Sequence, residues 1–378
     1  YLYKISKDVN YIKTERLKQN YKWTYDSKYG RLNLTINLAK PEKDPKEIAE
    51  AKDLTQKSNS FMIPKCVICK ENEQNYYNAR MNLRMVPLEL GGETWHLQYS
   101  PYLYYTEHAI ILHDVHRPMK TSRKTFEYLL DFMDMFPFYF IGSNADLPIV
   151  GGSILNHDHF QGGRQQFPIQ NAKVIKDFGR VNHVQISHLH WPLSTIRLTS
   201  DDKTELINLA DHIFNRWKTY DHLDLEIISQ TDGVPHNTIT PIARKTGNYY
   251  ELDLILRNNR TTSQYPYGIF HPKPDVFHIK KENIGLIEAM GLAILPGRLK
   301  QELKMILEWL KKPGPVPAVL EKHAHWMMEL KKMRTIQYTE AFLYKEVGKK
   351  FERVIEDAGV FKLNESGIKA MHQLIYDI

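Results

Sequence analysis

Cysteine is nearly missing from this chain: Cys66 and Cys69, in the string CVIC, are the two among 378 residues. That scarcity excludes a disulfide-stapled secreted scaffold. Two cysteines this close make a poor structural disulfide but a good half of a metal site or a redox pair. A reducing cytoplasm is the expected compartment. No run of eighteen apolar residues occurs, which excludes a membrane-spanning helix. There is no low-complexity stretch and no tail of one charge sign; the net charge of +7 is spread along the chain. A mild, diffuse excess suits phosphate-bearing small molecules. With no basic helix and no nucleic-acid-binding signature, nucleic acid is not an expected partner. Position 1 is Tyr1 rather than methionine, and we expect a further N-terminal segment, with any targeting signal on it.

What is present is ordinary for a globular protein, 42% hydrophobic and 25% charged, and long enough for two domains or two halves of one. RLNLTINL (31–38) alternates Leu32, Leu34, Ile36 and Leu38 and reads as a strand; KDPKEIAEAK then offers Asp44 as N-cap and Pro45 at the first helical position. The stretch 122–136 places Phe126, Leu129, Leu130 and Met133 at helical spacing, and 201–220 does so with Leu206, Leu209, Ile213 and Trp217. YYELDLILRNN (249–259) reads as a long strand, and the tail from Gly297 is mostly helical, broken by PGPVP at 313–317. Two runs of strands, helix, strands followed by a helical end predict an α+β fold with mainly antiparallel sheet. No internal repeat is visible in the residues.

Near the middle stands GGSILNHDHFQGG, Gly151 to Gly163. In extended backbone, residues two apart share a face. His157, His159 and Gln161 should therefore form one row, with Asp158 and Phe160 turned away. The glycine pairs let backbone approach a bulky ligand and expose N–H groups. Three chemistries fit such a row: two packed histidines with satisfied nitrogens, a metal bound by both rings, or one structural ring beside one nucleophile. A two-metal hydrolase would want a denser cluster of acids and histidines than this stretch holds.

The segment FIGSNADLPIVGGSILNHDHFQGG resembles the active-site segment of the type 2 galactose-1-phosphate uridylyltransferases, members of the histidine-triad superfamily. KWTYDSKYGRLNLTINLAKPEKDPKEIA, YSPYLYYTEHAIIL, DGVPHNTITPIARKTGNYYELDLILRNN and HIKKENIGLIEAMGLAILPGRL are similar to the same family. The resemblance implies two histidine-triad-like halves, which we divide at 1–200 and 201–378, the second ending in the helical region. It implies a ping-pong transfer of UMP from UDP-glucose to galactose 1-phosphate and a homodimer. Mapped by motif position, His159 is the nucleophile and Gln161 its partner. An imidazole nitrogen can attack the α-phosphorus while the other nitrogen keeps its proton on a fixed acceptor. Where related hydrolases carry a third histidine, Gln161 can donate a hydrogen bond but not a proton, which favours transfer to an already anionic phosphate over hydrolysis. The rival readings are a histidine-triad hydrolase or phosphorylase on another nucleotide, and a silent zinc-stabilised nucleotide-binding protein.

The resemblance also implies a closed, structural zinc site of Cys66, Cys69, His116 and His157, with His113 as the rival for His116. A second metal site, carried by some relatives on an HxHxH strand, falls here on Glu251, Asp253 and Ile255. Those carboxylates are expected to be solvated or paired with Arg244 or Arg257. For substrate phosphates the candidates are Ser153 and Asn156, ahead of the nucleophile, Arg80 and Arg84, four apart, and Lys281, which matches a lysine near the substrate in relatives.

Overall fold

The computed structural model describes residues 1–38, 64–74, 82–333 and 337–378. The helix expected around Asp44 and Pro45, and Arg80, lie outside the described residues.

Two strands, β1 (Tyr21–Ser27) and β2 (Gly30–Asn37), form a hairpin; RLNLTINL is thus a strand, with Leu32, Leu34 and Ile36 buried. Next come β3 (Val86–Leu90), β4 (Glu93–Tyr99) and β5 (Ala109–His113), the helix α1 (Arg123–Met135), β6 (Phe140–Gly142) and β7 (His159–Gly163). The same succession follows again: β8 (Val174–Val181), β9 (Val184–Leu189), β10 (Thr195–Ser200), α2 (Lys203–Lys218), β11 (Asn237–Thr246) and β12 (Tyr249–Asn258). The strand β13 (Leu292–Pro296) and the helices α3 (Leu299–Lys311), α4 (Ala324–Lys332), α5 (Glu340–Ala358) and α6 (Glu365–Tyr376) complete the chain.

Strands β3 to β12 make one ten-stranded sheet, in the order β3-β4-β5-β7-β6-β11-β12-β10-β9-β8. Every neighbouring pair in it is antiparallel. Its left half reads β3-β4-β5-β7-β6 and its right half, taken from the other edge, β8-β9-β10-β12-β11. The fold is therefore α+β and built from two units of one topology, each with its helix before the last two strands. The division at 200/201 falls between β10 and α2 of the second unit. The units meet where β6 pairs with β11, Phe140 against Arg244 and Gly142 against Ile242.

The two faces of the sheet carry different cores. On one, α1 and α2 bury Phe126, Leu129, Leu130 and Met133, and Leu206, Ile213 and Trp217, against odd-numbered residues of β4 and β5 such as Trp95 and Ile111. Each such side chain contributes roughly 1.5–3 kcal/mol relative to exposure. Ser122 caps α1 through a capping box and Asp202 caps α2 by accepting from Glu205 N–H, so both helices begin where unpaired N–H groups find an oxygen. The opposite face packs on β1-β2-β13 and on α3, α4 and α5, through Ile242, Ile255, Leu286, Leu303 and Phe351. The row of His159 and Gln161 lies on this second face, since Gln161 stands in register with Ile110 on one side and Gly142 on the other.

Candidate active site

The sequence HFQGG has little intrinsic strand preference. It is extended because β5 and β6 pair with it on both sides. Only His159 and Gln161 of the expected row lie on this strand. His157 precedes it in a bend, fixed by main-chain bonds from Asp158 N to Arg117 O (2.7 Å) and from His113 N to Asp158 O (2.9 Å). The expected row thus has two residues on the strand and a third, His157, just ahead of it. Asp158 faces away, on Arg117 at 3.1 Å. The bracketing glycines chiefly admit protein. A Cβ on Gly151 would meet Ala145 O at 2.5 Å, and one on Gly163 (φ +151°) would meet Glu107 O at 2.6 Å.

The bend separates the two imidazoles chemically. His157 offers Nε2 to the main-chain oxygen of His113 (2.8 Å) and turns Nδ1 to Cys66 Sγ (3.3 Å) and Cys69 Sγ (3.5 Å). His116 Nδ1 lies 3.1 Å from Cys69 Sγ, and the sulfurs are 3.4 Å apart. All four donor atoms fall within 4.8 Å of one another. A tetrahedral zinc with bonds of 2.0–2.3 Å keeps its donors roughly 3.3–3.8 Å apart, so this set fits a metal in chemistry and spacing. The carbonyl on Nε2 leaves Nδ1 as the free lone pair, the usual outer-shell arrangement for a ligating imidazole. His113 is elsewhere engaged, by Glu93 at Nε2 (2.9 Å) and Val115 at Nδ1 (3.0 Å).

His159 is buried, and its Nδ1 lies 2.8 Å from the main-chain oxygen of His157. The proton therefore sits on Nδ1, and Nε2 carries the lone pair. Burial pushes the ring down to about 4, so it is neutral at pH 7. Its side chain lines a cleft of about 430 Å³, whose walls include Gly152, Ser153, Gln161, Glu282 and Glu288. Gln161 Oε1 lies 3.1 Å from His108 Nε2.

Of the expected phosphate contacts, Ser153 lines the cleft and is exposed. Asn156 sits half-buried just behind it, outside the lining. Arg84 is exposed and donates to Leu83 O at 2.7 Å, away from the cleft. Lys281 also lies outside the lining, its ammonium 5.5 Å from the Tyr267 ring centre. Its neighbour Lys280 is buried between Glu282 (2.7 Å) and Glu288 (2.9 Å), whose carboxylates stand in the cleft wall. Asn144, also in the wall, accepts from Leu286 N–H at 2.9 Å and ties the loop after β6 to the short helix before β13. Sequence reading missed His108, Asn144, Glu282 and Glu288. Only His108 left a local signal, the alternation His108, Ile110, Leu112 that places it on the cleft face.

In the second unit, Asp253 is fully buried and paired with Arg197 (2.7 Å) and Arg244 (2.9 Å), and Glu251 with Arg244 (2.6 Å). The expected pairing with Arg244 is present; Arg257 instead donates to Ile284 O at 2.8 Å. These carboxylates are consumed by guanidinium groups.

Comparison with known proteins agrees with this anatomy. Residues 1–118 match the family described as galactose-1-phosphate uridyl transferase, N-terminal domain, and residues 132–328 match its C-terminal domain. A galactose-1-phosphate uridylyltransferase of Clostridium acetobutylicum is 53% identical, over 99% of this chain and 77% of that protein. Those of Caldanaerobacter subterraneus subsp. tengcongensis and Bacillus subtilis are 51% and 48% identical, over 99% of this chain and 76% and 74% of theirs. Among solved structures, the yeast Ap4A phosphorylase Apa2 aligns over 80% of this chain and 89% of its own, at 10% identity and a TM-score of 0.44. With both family models matched and relatives about half identical over nearly all of it, the chain belongs to the galactose-1-phosphate uridyl transferase family.

Proposed function

We propose that the chain moves UMP from UDP-glucose to galactose 1-phosphate through a covalent uridylyl-histidine on His159. The observation that carries this reading is the Nδ1–H bond to the His157 carbonyl, which aims an unprotonated Nε2 into the cleft. Its lone pair attacks the α-phosphorus. The bond from that phosphorus to the bridging oxygen breaks, and glucose 1-phosphate leaves with the electron pair. The Nδ1 proton stays in place, so the uridylylated ring is cationic and is steadied by the carbonyl dipole. In the second half a phosphate oxygen of galactose 1-phosphate attacks the same phosphorus, and the electrons of the N–P bond return to Nε2. Neither step needs a general acid, because both sugar phosphates are anions. An amide N–H from Gln161 suits the phosphoryl oxygen.

Cys66, Cys69, His116 and His157 would hold a structural zinc, which supplies no step and fixes His157, hence the carbonyl that orients His159. Ser153 is placed to bind diphosphate oxygens. No helix among the described residues is long and apolar enough to cross a membrane; a cytoplasmic location rests on the scarcity of cysteine, and a homodimer on the family. UDP-glucose labelled in the uridine tests the reading. The denatured protein should retain label, and galactose 1-phosphate added beforehand should remove it as UDP-galactose. Release as UMP in place of UDP-galactose would make the enzyme a hydrolase; no retained label would refute the covalent route.

A further inference from the structure

Beside Gln161, in the wall of the same cleft, stands a second imidazole that the transfer chemistry leaves unused. His108 is the residue before β5, whose Ile110 stands in register with Gln161, which makes His108 and Gln161 diagonal neighbours on one face. The His108 ring is 3% exposed, lies 4.5 Å from the ring of Tyr105 and 5.2 Å from that of Tyr104, and reaches Oε1 of Gln161 through Nε2 at 3.1 Å. Its Nδ1 is buried with no hydrogen-bond partner among the described residues. Burial also pushes this ring down to about 4, so at pH 7 it carries one proton.

One proton on two nitrogens couples the tautomer of His108 to the orientation of the Gln161 amide. With the proton on Nε2, His108 donates to Oε1, and the Gln161 NH₂ is left for the cleft. With the proton on Nδ1, a buried N–H is stranded. Nε2 then becomes an acceptor, the amide must turn over to satisfy it, and a carbonyl oxygen faces the phosphoryl group. Buried N–H groups without partners are rare, and an anionic phosphoryl oxygen repels a carbonyl. Both considerations select the first state.

We propose that His108 is a positioning residue for uridylyl transfer: by donating Nε2–H to Oε1 it keeps the Gln161 amide N–H turned toward the phosphorus. This rests on the function proposed above, and the experiment separates the two. His108→Phe keeps an aromatic ring beside Tyr105 and removes the donor. It should lower kcat about 10- to 100-fold, less than the 10²–10³ expected for losing the amide itself, with KM for UDP-glucose changed less than about threefold. His108→Gln puts an amide N–H where Nε2 stood and should recover kcat to within about threefold of the parent. The double variant His108→Phe/Gln161→Ala should be no slower than Gln161→Ala alone, because both changes remove one interaction. Rates are taken per folded molecule, from the folded fraction of each variant. In parallel, long-range ¹H–¹⁵N spectra of histidine-labelled parent, with the His108 signals identified by their loss in His108→Phe, should show the proton on Nε2.

An unchanged kcat in His108→Phe, equal losses in the Phe and Gln variants, multiplying effects in the double variant, or a proton on Nδ1 would each overturn the proposal. A parent that forms no uridylyl-enzyme would refute the functional reading instead, and the tautomer would still decide this one.

Discussion

The Nδ1 of His159 lies 2.8 Å from the main-chain oxygen of His157, while the ring of that same His157 turns its Nδ1 to Cys66 and Cys69. One residue therefore belongs to two structures, contributing its side chain to the sulfur cluster and its carbonyl to His159. The two can be separated by mutation.

His159→Ala should reduce transfer by roughly 10⁴-fold or more, as expected when a nucleophile is removed, and should abolish label retention without unfolding the chain. His159→Gly should regain part of the transfer when free imidazole is supplied, since the missing ring leaves a space in the cleft. Wild-type turnover by the Ala variant would show that another group attacks phosphorus.

The cluster should hold about one zinc per chain, with two sulfurs near 2.3 Å and two nitrogens, measurable by elemental analysis and X-ray absorption. Cys66→Ser should lower the melting temperature by about 5 °C or more while the chemical rate per folded molecule falls far less. Freshly purified protein without metal, or a rate loss as large as that of His159→Ala, would contradict a structural site.

Gln161→Ala should slow uridylyl transfer by roughly 10²- to 10³-fold, the cost of one donor to a developing oxyanion. Gln161→His restores a donor and adds a group that transfers protons. In that variant UMP should be released to water faster, relative to transfer, than in the parent. A constant ratio of hydrolysis to transfer would mean that the choice of acceptor is made elsewhere in the cleft.

Asp253 links acid stability to the second unit. Burial raises its carboxyl, but Arg244 and Arg197 outweigh that and hold it at about 2, below the roughly 3.9 of an unfolded aspartate. Its contribution is therefore complete above about pH 4 and fades as pH falls through about 2. Asp253→Asn should cost about 3–5 kcal/mol at pH 7, because the buried Arg244 and the largely buried Arg197 lose their shared partner. In urea unfolding, the gap to the parent should narrow between pH 4 and pH 2. A gap independent of pH would mean that the pair is not ionic.

The helices were legible because their apolar residues repeat every three to four positions: 122–136 and 201–220 became Arg123–Met135 and Lys203–Lys218. The histidine–glutamine row was legible as alternation; its start at the strand was not. Strict alternation placed His159 and Gln161 together, but nothing local announces the bend at His157, which depends on main-chain bonds to Arg117 and His113. The doubling showed as two runs of strands, helix, strands and in the family resemblance, but not as a residue repeat; the row after α1 reads His159, Gln161 and its counterpart after α2 holds Glu251, Asp253. Glu282 and Glu288 escaped notice because they enter the cleft wall from a loop distant in sequence. The gathering of His116 with the cysteines was equally non-local and was accessible only through the family resemblance.

A sheet continuous through Phe140–Arg244, Ile141–Ala243 and Gly142–Ile242 joins the two units edge to edge as one plate. Traffic in this enzyme then runs over a single floor. Glucose 1-phosphate departs, and galactose 1-phosphate arrives, past walls that include the loop after β6 and the segment before β13, tied to each other by the Asn144–Leu286 bond.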